Sequence, residues 1–519
     1  MNLYHCLYSA RESWSWAIQG SSGLRTGVLV EQIGKYAAAL NALGVSQGDR
    51  VSFKLEKTAE VIFLAHACLQ LGVIIHPLNT GYTDEEIRYL LEDAEPCLFV
   101  CEPDEESRFK DMAYVLGCTL STLSAGGRGG LAALAATLAP RLVVADVEDG
   151  TTAAILYTSG TTGRPKGAKI THGNLAQSAT ALVSVWELGI SDVLLHALPL
   201  YHAHGLLTSI NTMLAAGGSI LFLPRFEAGE VLAALPQVTV MMGVPTHYAR
   251  LIREPELAEV LRPGFRLAIS GSAPLPLELA ARFAELTGRR ILERYGSTEA
   301  AIVTAVPGSS HDTTGWVGWP LPGVHVRVAT KDGARLERSA TGSLETRGHN
   351  VFAGYWKRPE AERDAFTADG WFITGDVAEI RDDGCVRLLD RAKDMIISGG
   401  INVYPREVET VLDSFSGVAN SAVFGVPHPD FGEAVAAVVE LEPGAVFEET
   451  ALIAATRTRL AAYKVPKRVL VVLEIPRNRI GKVLKAALRT EYTNLFNPSS
   501  SGEADPLFTK SNKESVRVN

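Results

Sequence analysis

Cysteine is scarce: the 519 residues contain six, Cys6, Cys68, Cys97, Cys101, Cys118 and Cys385. They are too few and too scattered to staple a fold. Cys97 and Cys101 lie four apart, as on one face of a short buried strand, and no second Cys or His pair follows them at zinc spacing. All six read as reduced, packed thiols of an intracellular protein. Positive charge is not in excess either. The formal net charge is −9, which leaves no electrostatic footprint for nucleic acid or for anionic membrane surfaces. Long apolar runs are missing as well. The most apolar stretch, residues 61–75, is interrupted by His66, Gln70 and Gly72 and is short for a membrane span; it reads as a buried helix running toward Pro77. No basic head precedes an apolar core at the amino terminus, so no secretory signal is expected. These absences predict a protein of the cytoplasm or an organelle matrix, with no membrane span and no nucleic-acid partner.

A chain of this length exceeds one ordinary hydrophobic core, so two or more domains are expected. Apolar residues make up 47% and charged residues 21%, the balance of a soluble globular protein. Strand-like runs at 153–157, 238–242, 267–270 and 291–295 are each followed by a turn rich in Gly, Pro or Ser, three of them leading into a helical pattern. That alternation predicts an α/β fold whose ligands sit at the carboxyl ends of the strands. Thr246 is expected to cap a helix through Ile252. The Gly/Ala-rich stretch 121–137 loosely matches a dinucleotide fingerprint at Gly127-Arg-Gly-Gly-Leu-Ala132. It has no preceding strand and no acidic residue at the right distance, so it reads as a mobile surface insert. Near residues 390–393 the texture changes to a second, shorter α/β segment. The expected division is a large N-terminal domain of stacked α/β subdomains (1–390), a small mobile C-terminal α/β domain (391–495) and a polar, disordered tail (496–519). No internal repeat is present.

The run Tyr157-Thr-Ser-Gly-Thr-Thr-Gly-Arg-Pro-Lys-Gly167 carries four serine or threonine hydroxyls, three glycines and a lysine directly after an apolar strand. Glycines let the backbone approach a ligand and turn its N–H groups inward, hydroxyls donate to phosphate oxygens, and Lys166 supplies charge. The spacing is not that of a Walker A loop. A bare surface turn would explain four such residues but explains eleven poorly.

The same run resembles the signature of the adenylate-forming superfamily, which includes acyl-CoA synthetases, adenylation domains and firefly luciferase. Further matching motifs are Tyr295-Gly-Ser-Thr-Glu299, Thr374-Gly-Asp376, Asp390-Arg-Ala-Lys-Asp394, Ser398-Gly-Gly-Ile-Asn-Val-Tyr-Pro405 and Pro476-Arg-Asn-Arg-Ile-Gly-Lys482, and the resemblance spans residues 24–492. It implies an ATP-dependent acid–CoA ligase that uses Mg2+ and CoA and forms an acyl-AMP intermediate. Thr158, Ser159, Gly160, Thr161, Thr162, Gly163 and Lys166 would hold the phosphates. Tyr295 and Gly296 would lie along the adenine, Thr298 would donate to the α-phosphate, and Glu299 would bind the metal. Asp376 would take the ribose hydroxyls, and Arg391 the ribose or phosphate from the hinge side. Lys482 would stabilise the charge that develops as the carboxylate attacks. Lys393 would be the hinge between two half-reactions, with Ser398, Gly399, Gly400 and Tyr404 forming the face that meets the CoA thiol. Taken singly, Lys482 reads as a solvated lysine and Asp376 as a turn aspartate; only the motifs give them roles.

Which acid is activated turns on fewer residues. Leu198-Pro-Leu-Tyr-His-Ala-His-Gly205 puts His202 where the family carries a gating side chain. His202 and His204 lack a third ligand for a metal. Arg250 and Arg294 stand near loops that would line the acyl pocket. A fatty-acyl pocket gains nothing from guanidinium groups, whereas a second carboxylate on the substrate would offset their desolvation. With Met241-Met-Gly-Val-Pro-Thr246 and Ser270-Gly-Ser-Ala-Pro274, this set resembles malonyl-CoA synthetases, which implies that Arg250, Arg294, Ser272 and His202 hold malonate or methylmalonate. Ser297 and Ala300 depart from the Met and Thr usual in those enzymes, and His349 stands where proline is common. Three other readings stay open: a short- or medium-chain monocarboxylate CoA ligase, an adenylation enzyme that loads a carrier protein, and a non-catalytic nucleotide-binding protein. For each arginine there is also the plain alternative of a surface residue at Arg250 and an Arg294 paired with Glu293.

Overall fold

The computed structural model describes residues 2–8, 17–19, 24–158, 165–261, 263–310, 313–330, 333–391, 394–398, 401–428, 431–477 and 481–496. Among them the strands form four sheets. The largest runs, edge to edge, through Trp319–Pro320, Ala301–Ala305, Ile291–Ser297, Leu267–Ser270, Val240–Gly243, Val193–His196, Ser219–Phe222, Ala17–Gln19 and Leu24–Arg25. Its central strands, from Ile291–Ser297 to Ser219–Phe222, are parallel neighbours. The second sheet orders Thr119–Thr122, Leu98–Cys101, Arg50–Lys54, Ile74–Pro77, Thr152–Thr158 and Lys166–Thr171; it is parallel except for the last pair. Parallel strands covered on both faces read as short continuous apolar runs, and Leu98–Cys101, Val240–Gly243 and Leu267–Ser270 are buried throughout. One continuous core joins these two sheets.

A third, antiparallel sheet is built from Arg335–Leu336, Val324–Ala329, Ala340–Gly348, Phe372–Ile380 and Val386–Arg391. Ile396–Ser398 then opens the fourth sheet, which with Ile401–Val403, Val418–His428, Gly432–Leu441 and Arg468–Val471 forms a small C-terminal domain with its own core. The protein is therefore an α/β protein with a large N-terminal and a small C-terminal domain.

The helix Ala59–Leu71 fulfils the reading of the most apolar stretch: residues 61–71 are all buried, and Gly72, left-handed at φ 67°, ends it. No described helix is long and apolar enough to cross a membrane. Two expectations fail. Residues 121–137 are not a mobile insert: Thr119–Thr122 is a strand, Ser124 bridges Arg128, and the helix Gly130–Ala136 buries Leu131, Ala132 and Ala135. The glycine-rich composition hid a short apolar helix face. Thr246 does not cap its helix either. Pro245 occupies the first turn of Pro245–Leu251, where its missing N–H costs nothing, and Val244 is the N-cap.

Candidate active site

Thr158 ends one strand and Lys166 begins the next, and the two pair across an antiparallel hairpin. Ser159, Gly160, Thr161, Thr162 and Gly163 lie outside the described residues. The Thr158 hydroxyl donates to Glu299 Oε1 at 3.1 Å, and the Tyr355 hydroxyl donates to the same oxygen at 3.2 Å. Burial first, and Glu299 second, push the Tyr355 phenol up, so it stays a donor. Lys166 Nζ lies 5.5 Å from the centre of the Tyr355 ring. The lysine, the carboxylate and the hydroxyl that ends the strand thus converge at the mouth of the loop.

The strand Ile291–Ser297 slips register between Tyr295 and Gly296 against its antiparallel neighbour. Here only glycine fits: a Cβ on Gly296 would stand 1.8 Å from the Ala301 carbonyl oxygen. Beyond the slip the chain leaves the strand and presents Thr298 and Glu299. Thr298 lines a cavity of about 50 Å³ with Tyr157, Tyr201 and His202. Upstream, the Tyr295 hydroxyl donates to the buried Asp376 carboxylate. Asp376 is in turn the register partner of Arg391 in the ladder of the third sheet.

The opposite wall is built from the carboxyl ends of parallel strands. Register places His196 beside Met242, Gly243 beside Ser270, and Ser270 beside Glu293, so the next residues, Gly271, Ser272 and Arg294, come together. Arg294 is 7% exposed. Its Nη2 reaches Ser272 Oγ at 3.5 Å, and its Nε has no partner among the described residues. Burial alone pushes the guanidinium down to about 10, which leaves it a cation at neutral pH. Gly271 makes room for it: a Cβ there would lie 2.3 Å from Arg294 Nε. Arg294 does not pair with Glu293. Successive strand residues face opposite ways, and Glu293 faces Arg406 of the small domain and the backbone N–H groups of Gly315 and Leu275.

His204 adds a further polar group. It opens a π-helical turn, His204–Ile210, a form enriched at functional sites, and its Nδ1 lies 3.1 Å from Ser272 Oγ. Burial keeps His204 neutral, and the charge of Arg294 reinforces this. His202 is likewise pushed down to about 4 by burial. Arg250 differs from Arg294. It sits exposed near the end of Pro245–Leu251, with no acidic partner among the described residues; burial first, and the charge of Arg250 second, push down His247, which stacks on Phe226 at 4.1 Å.

From the small domain, Gly481 comes close to Thr246 on that same helix, where an added Cβ would lie 3.3 Å from Thr246 Cγ2. Lys482 follows Gly481 directly and is exposed. Ser398 is buried and pairs with Ile401 and Gly432, and Tyr404 precedes the helix Pro405–Asp413. Lys393, Gly399 and Gly400 lie outside the described residues. Arg406 Nη2 donates to the Leu275 carbonyl of the large domain at 3.2 Å.

Residues 27–356 match the family described as AMP-binding enzyme, and residues 407–482 match the AMP-binding enzyme C-terminal domain. The chain belongs to the AMP-binding enzyme family. ATP-bound MatB from Rhodopseudomonas palustris is 42% identical and superposes with a TM-score of 0.92, over 95% of this chain and 99% of that one. The mitochondrial malonate–CoA ligase of Mus musculus is 35% identical over 86% of this chain and 82% of that protein. A feruloyl-CoA synthase of Amycolatopsis is equally 35% identical, over 91% and 95%. This AMP-binding enzyme is an ATP-dependent acid–CoA ligase.

The carboxylate of Glu299 suits a magnesium ion. Its Oε1 takes two hydroxyl donors, while Oε2 has no hydrogen bond among the described residues. Among the described residues no three His, Cys, Asp or Glu converge into a metal cage, and magnesium that bridges phosphates needs only one or two carboxylates. Two members of the site, Tyr355 and the inward ring of His204, were not assigned to it from sequence. Tyr355 stands 56 residues from Glu299, and no local signal joins them. The second histidine of His-Ala-His was legible but drew attention as a metal ligand rather than as a partner of Ser272.

Proposed function

We propose that this AMP-binding enzyme activates a short dicarboxylic acid, malonate or its 2-methyl derivative, and transfers it to CoA. The observation that carries the reading is Arg294: a buried guanidinium that, among the described residues, has no partner at Nε and no ion pair with a carboxylate, facing Ser272 and His204. An unpaired buried cation costs several kcal/mol. A distal carboxylate offsets that cost through charge-assisted, bidentate hydrogen bonds. A fatty or aromatic acid leaves the cost standing.

In the first half-reaction one carboxylate of the acid attacks the α-phosphorus of ATP and pyrophosphate leaves. Arg294 and Ser272 fix the distal carboxylate, with neutral His202 and His204 beside it and Arg250 at the rim. Thr298 and Lys482 donate to the oxygens on which charge accumulates. A magnesium ion held by Glu299 would neutralise the leaving pyrophosphate. Thr158, Lys166 and the glycine-rich residues 159–163 hold the phosphates, Tyr295, Gly296 and Asp376 hold the nucleoside, and Arg391 approaches it from the hinge side. In the second half-reaction the small domain (391–495) turns about Lys393. Lys482 then withdraws, and Ser398, Gly399, Gly400 and Tyr404 meet the pantetheine arm. The thiol attacks the acyl carbon and AMP leaves. The small number of cysteines, six in 519 residues, suits a reducing compartment, the cytoplasm or an organelle matrix.

The test is thioester formation by the full chain with malonate, methylmalonate, succinate, acetate, propionate and octanoate at constant ATP and CoA. Malonate or methylmalonate should give the highest kcat/KM, and Arg294→Gln should remove that advantage without raising the KM for ATP. A preference for propionate or octanoate refutes the dicarboxylate reading.

A further inference from the structure

Asp93 belongs to none of the motifs that built the site, yet it ties several of them together. It lies one residue from the end of the helix Asp84–Ala94, whose start is fixed by a capping box at Thr83. Tyr89 and Asp93 stand four apart and so share a helix face. That face meets both limbs of the hairpin that carries Thr158 and Lys166. On the outgoing limb the Tyr157 hydroxyl donates to Asp93 Oδ2 at 2.6 Å; on the returning limb the Tyr89 hydroxyl donates to the Pro165 carbonyl at 2.8 Å. The other carboxylate oxygen of Asp93, Oδ1, accepts from Arg358 Nη2 at 2.7 Å. The Asp93 side chain is 10% exposed. Burial, and then the hydrogen bond to Asp93, push the Tyr157 phenol up, which keeps it a donor.

Arg358 follows the segment that carries Tyr355. Trp356 Nε1 and Lys357 Nζ donate to the Asp93 backbone carbonyl at 3.0 and 3.2 Å, and the chain turns at Lys357, left-handed at φ 52°. A non-glycine residue persists in that region where its surroundings over-determine it, and here three consecutive side chains close on Asp93. The same segment adds to the hairpin: the Trp356 N–H donates to the Gly167 carbonyl at 2.7 Å, and Tyr355 bridges Ala168. Two routes therefore run from one carboxylate to Glu299. One passes through Tyr157 to Thr158 and the other through Arg358 to Tyr355, and the Thr158 and Tyr355 hydroxyls both donate to Glu299 Oε1.

We propose that Asp93 is a positioning residue for ATP, setting Thr158, Lys166 and Glu299 relative to one another while its own carboxylate oxygens stay committed to Tyr157 and Arg358. The assignment rests on the reading that those three residues meet the phosphates and their magnesium, and deepens it. They come from separate elements, and a displacement of about 1 Å in such a constellation can cost about a hundredfold.

The test measures the Kd for ATP by calorimetric titration of the full-length enzyme without acid or CoA, alongside the KM for the acid at saturating ATP. Asp93→Ala should raise the Kd for ATP about tenfold or more and change the KM for the acid less than about threefold. Asp93→Asn keeps an acceptor for one of the two donors and should lose less. Tyr157→Phe removes the hydroxyl but keeps the ring beside His76, so it tests the same link should Asp93→Ala fail to fold. It should also weaken ATP, and the double variant should bind ATP no more weakly than Asp93→Ala alone. A lower melting temperature with an unchanged Kd for ATP would overturn the proposal, as the mark of a purely structural role. Equal losses for ATP and acid, or fully additive losses in the double variant, would overturn it too. Lys166→Met separates the two readings. If it weakens ATP while Asp93→Ala and Tyr157→Phe do not, only the Asp93 assignment fails; if it too leaves the Kd for ATP unchanged, the phosphate reading itself fails.

Discussion

The Tyr295 hydroxyl donates to the Asp376 carboxylate across a gap of 81 residues, tying the end of a parallel strand to the antiparallel third sheet. Both side chains are buried, so Tyr295→Phe leaves a buried carboxylate short of a donor. Urea unfolding should show a loss of about 1–3 kcal/mol. The KM for ATP should rise more than the KM for the acid, because Asp376, the proposed nucleoside partner, loses the donor that fixes its position.

Gly271→Ala tests the acid wall without touching a charged group. The new Cβ would stand 2.3 Å from Arg294 Nε, which forces the guanidinium to move. The KM for malonate should rise about tenfold, as expected when a charge-assisted contact is lost. The KM for ATP, measured at saturating acid, should change little.

The two half-reactions separate at the small domain. Lys482→Ala should slow malonate-dependent ATP–pyrophosphate exchange by about a hundredfold or more, while CoA transfer from preformed acyl-AMP persists. Lys393→Pro should do the reverse, sparing exchange and impairing transfer. Equal damage to both steps by Lys393→Pro would refute the hinge assignment.

Glu293 gives a pH signature. Burial pushes its carboxyl up to about 7, with Arg406 and two backbone donors working in the opposite direction. The folded state therefore holds this proton more tightly than the unfolded chain, and the group's contribution to stability falls as pH rises from the ordinary carboxylate range to about 7. Glu293→Gln keeps an acceptor for the Gly315 and Leu275 N–H groups but removes the ionisation. Its melting temperature relative to the unsubstituted protein should increase between pH 5 and pH 8. A constant difference would place the carboxyl in its ordinary range.

Much of the fold was legible because it is written locally. Parallel strands buried on both faces appear as short apolar runs closed by Gly, Pro or Ser, and the run 267–270 coincides with Leu267–Ser270. The strand before the glycine-rich loop, read at 153–157 and found as Thr152–Thr158, could be placed for the same reason, while the antiparallel return strand Lys166–Thr171 was not foreseen. What failed was either masked by composition, as with the helix Gly130–Ala136, or decided by a single neighbour, as when Pro245 rather than Thr246 set a helix start. The acid wall was half legible. Arg294 could be named, but its isolation from Glu293 follows from strand alternation in an element whose end was placed two residues short. Tyr355 carries no local signature, since its partner Glu299 lies 56 residues away.

The proposed acid wall sits on strand ends and post-strand loops of one sheet, and the phosphate loop, Asp376 and the Lys482 loop come from other sheets or the other domain, while Tyr295–Glu299 continue the strand that carries Arg294. Loops vary more freely than the scaffold that carries them. Substitutions in the loop at residues 271 and 272 can therefore exchange one acid for another without touching the phosphate loop, Asp376 or the Lys482 loop, whereas a change at Arg294 adjoins Tyr295 on the same strand. Descendants of such a protein can change their diet without relearning how to spend ATP.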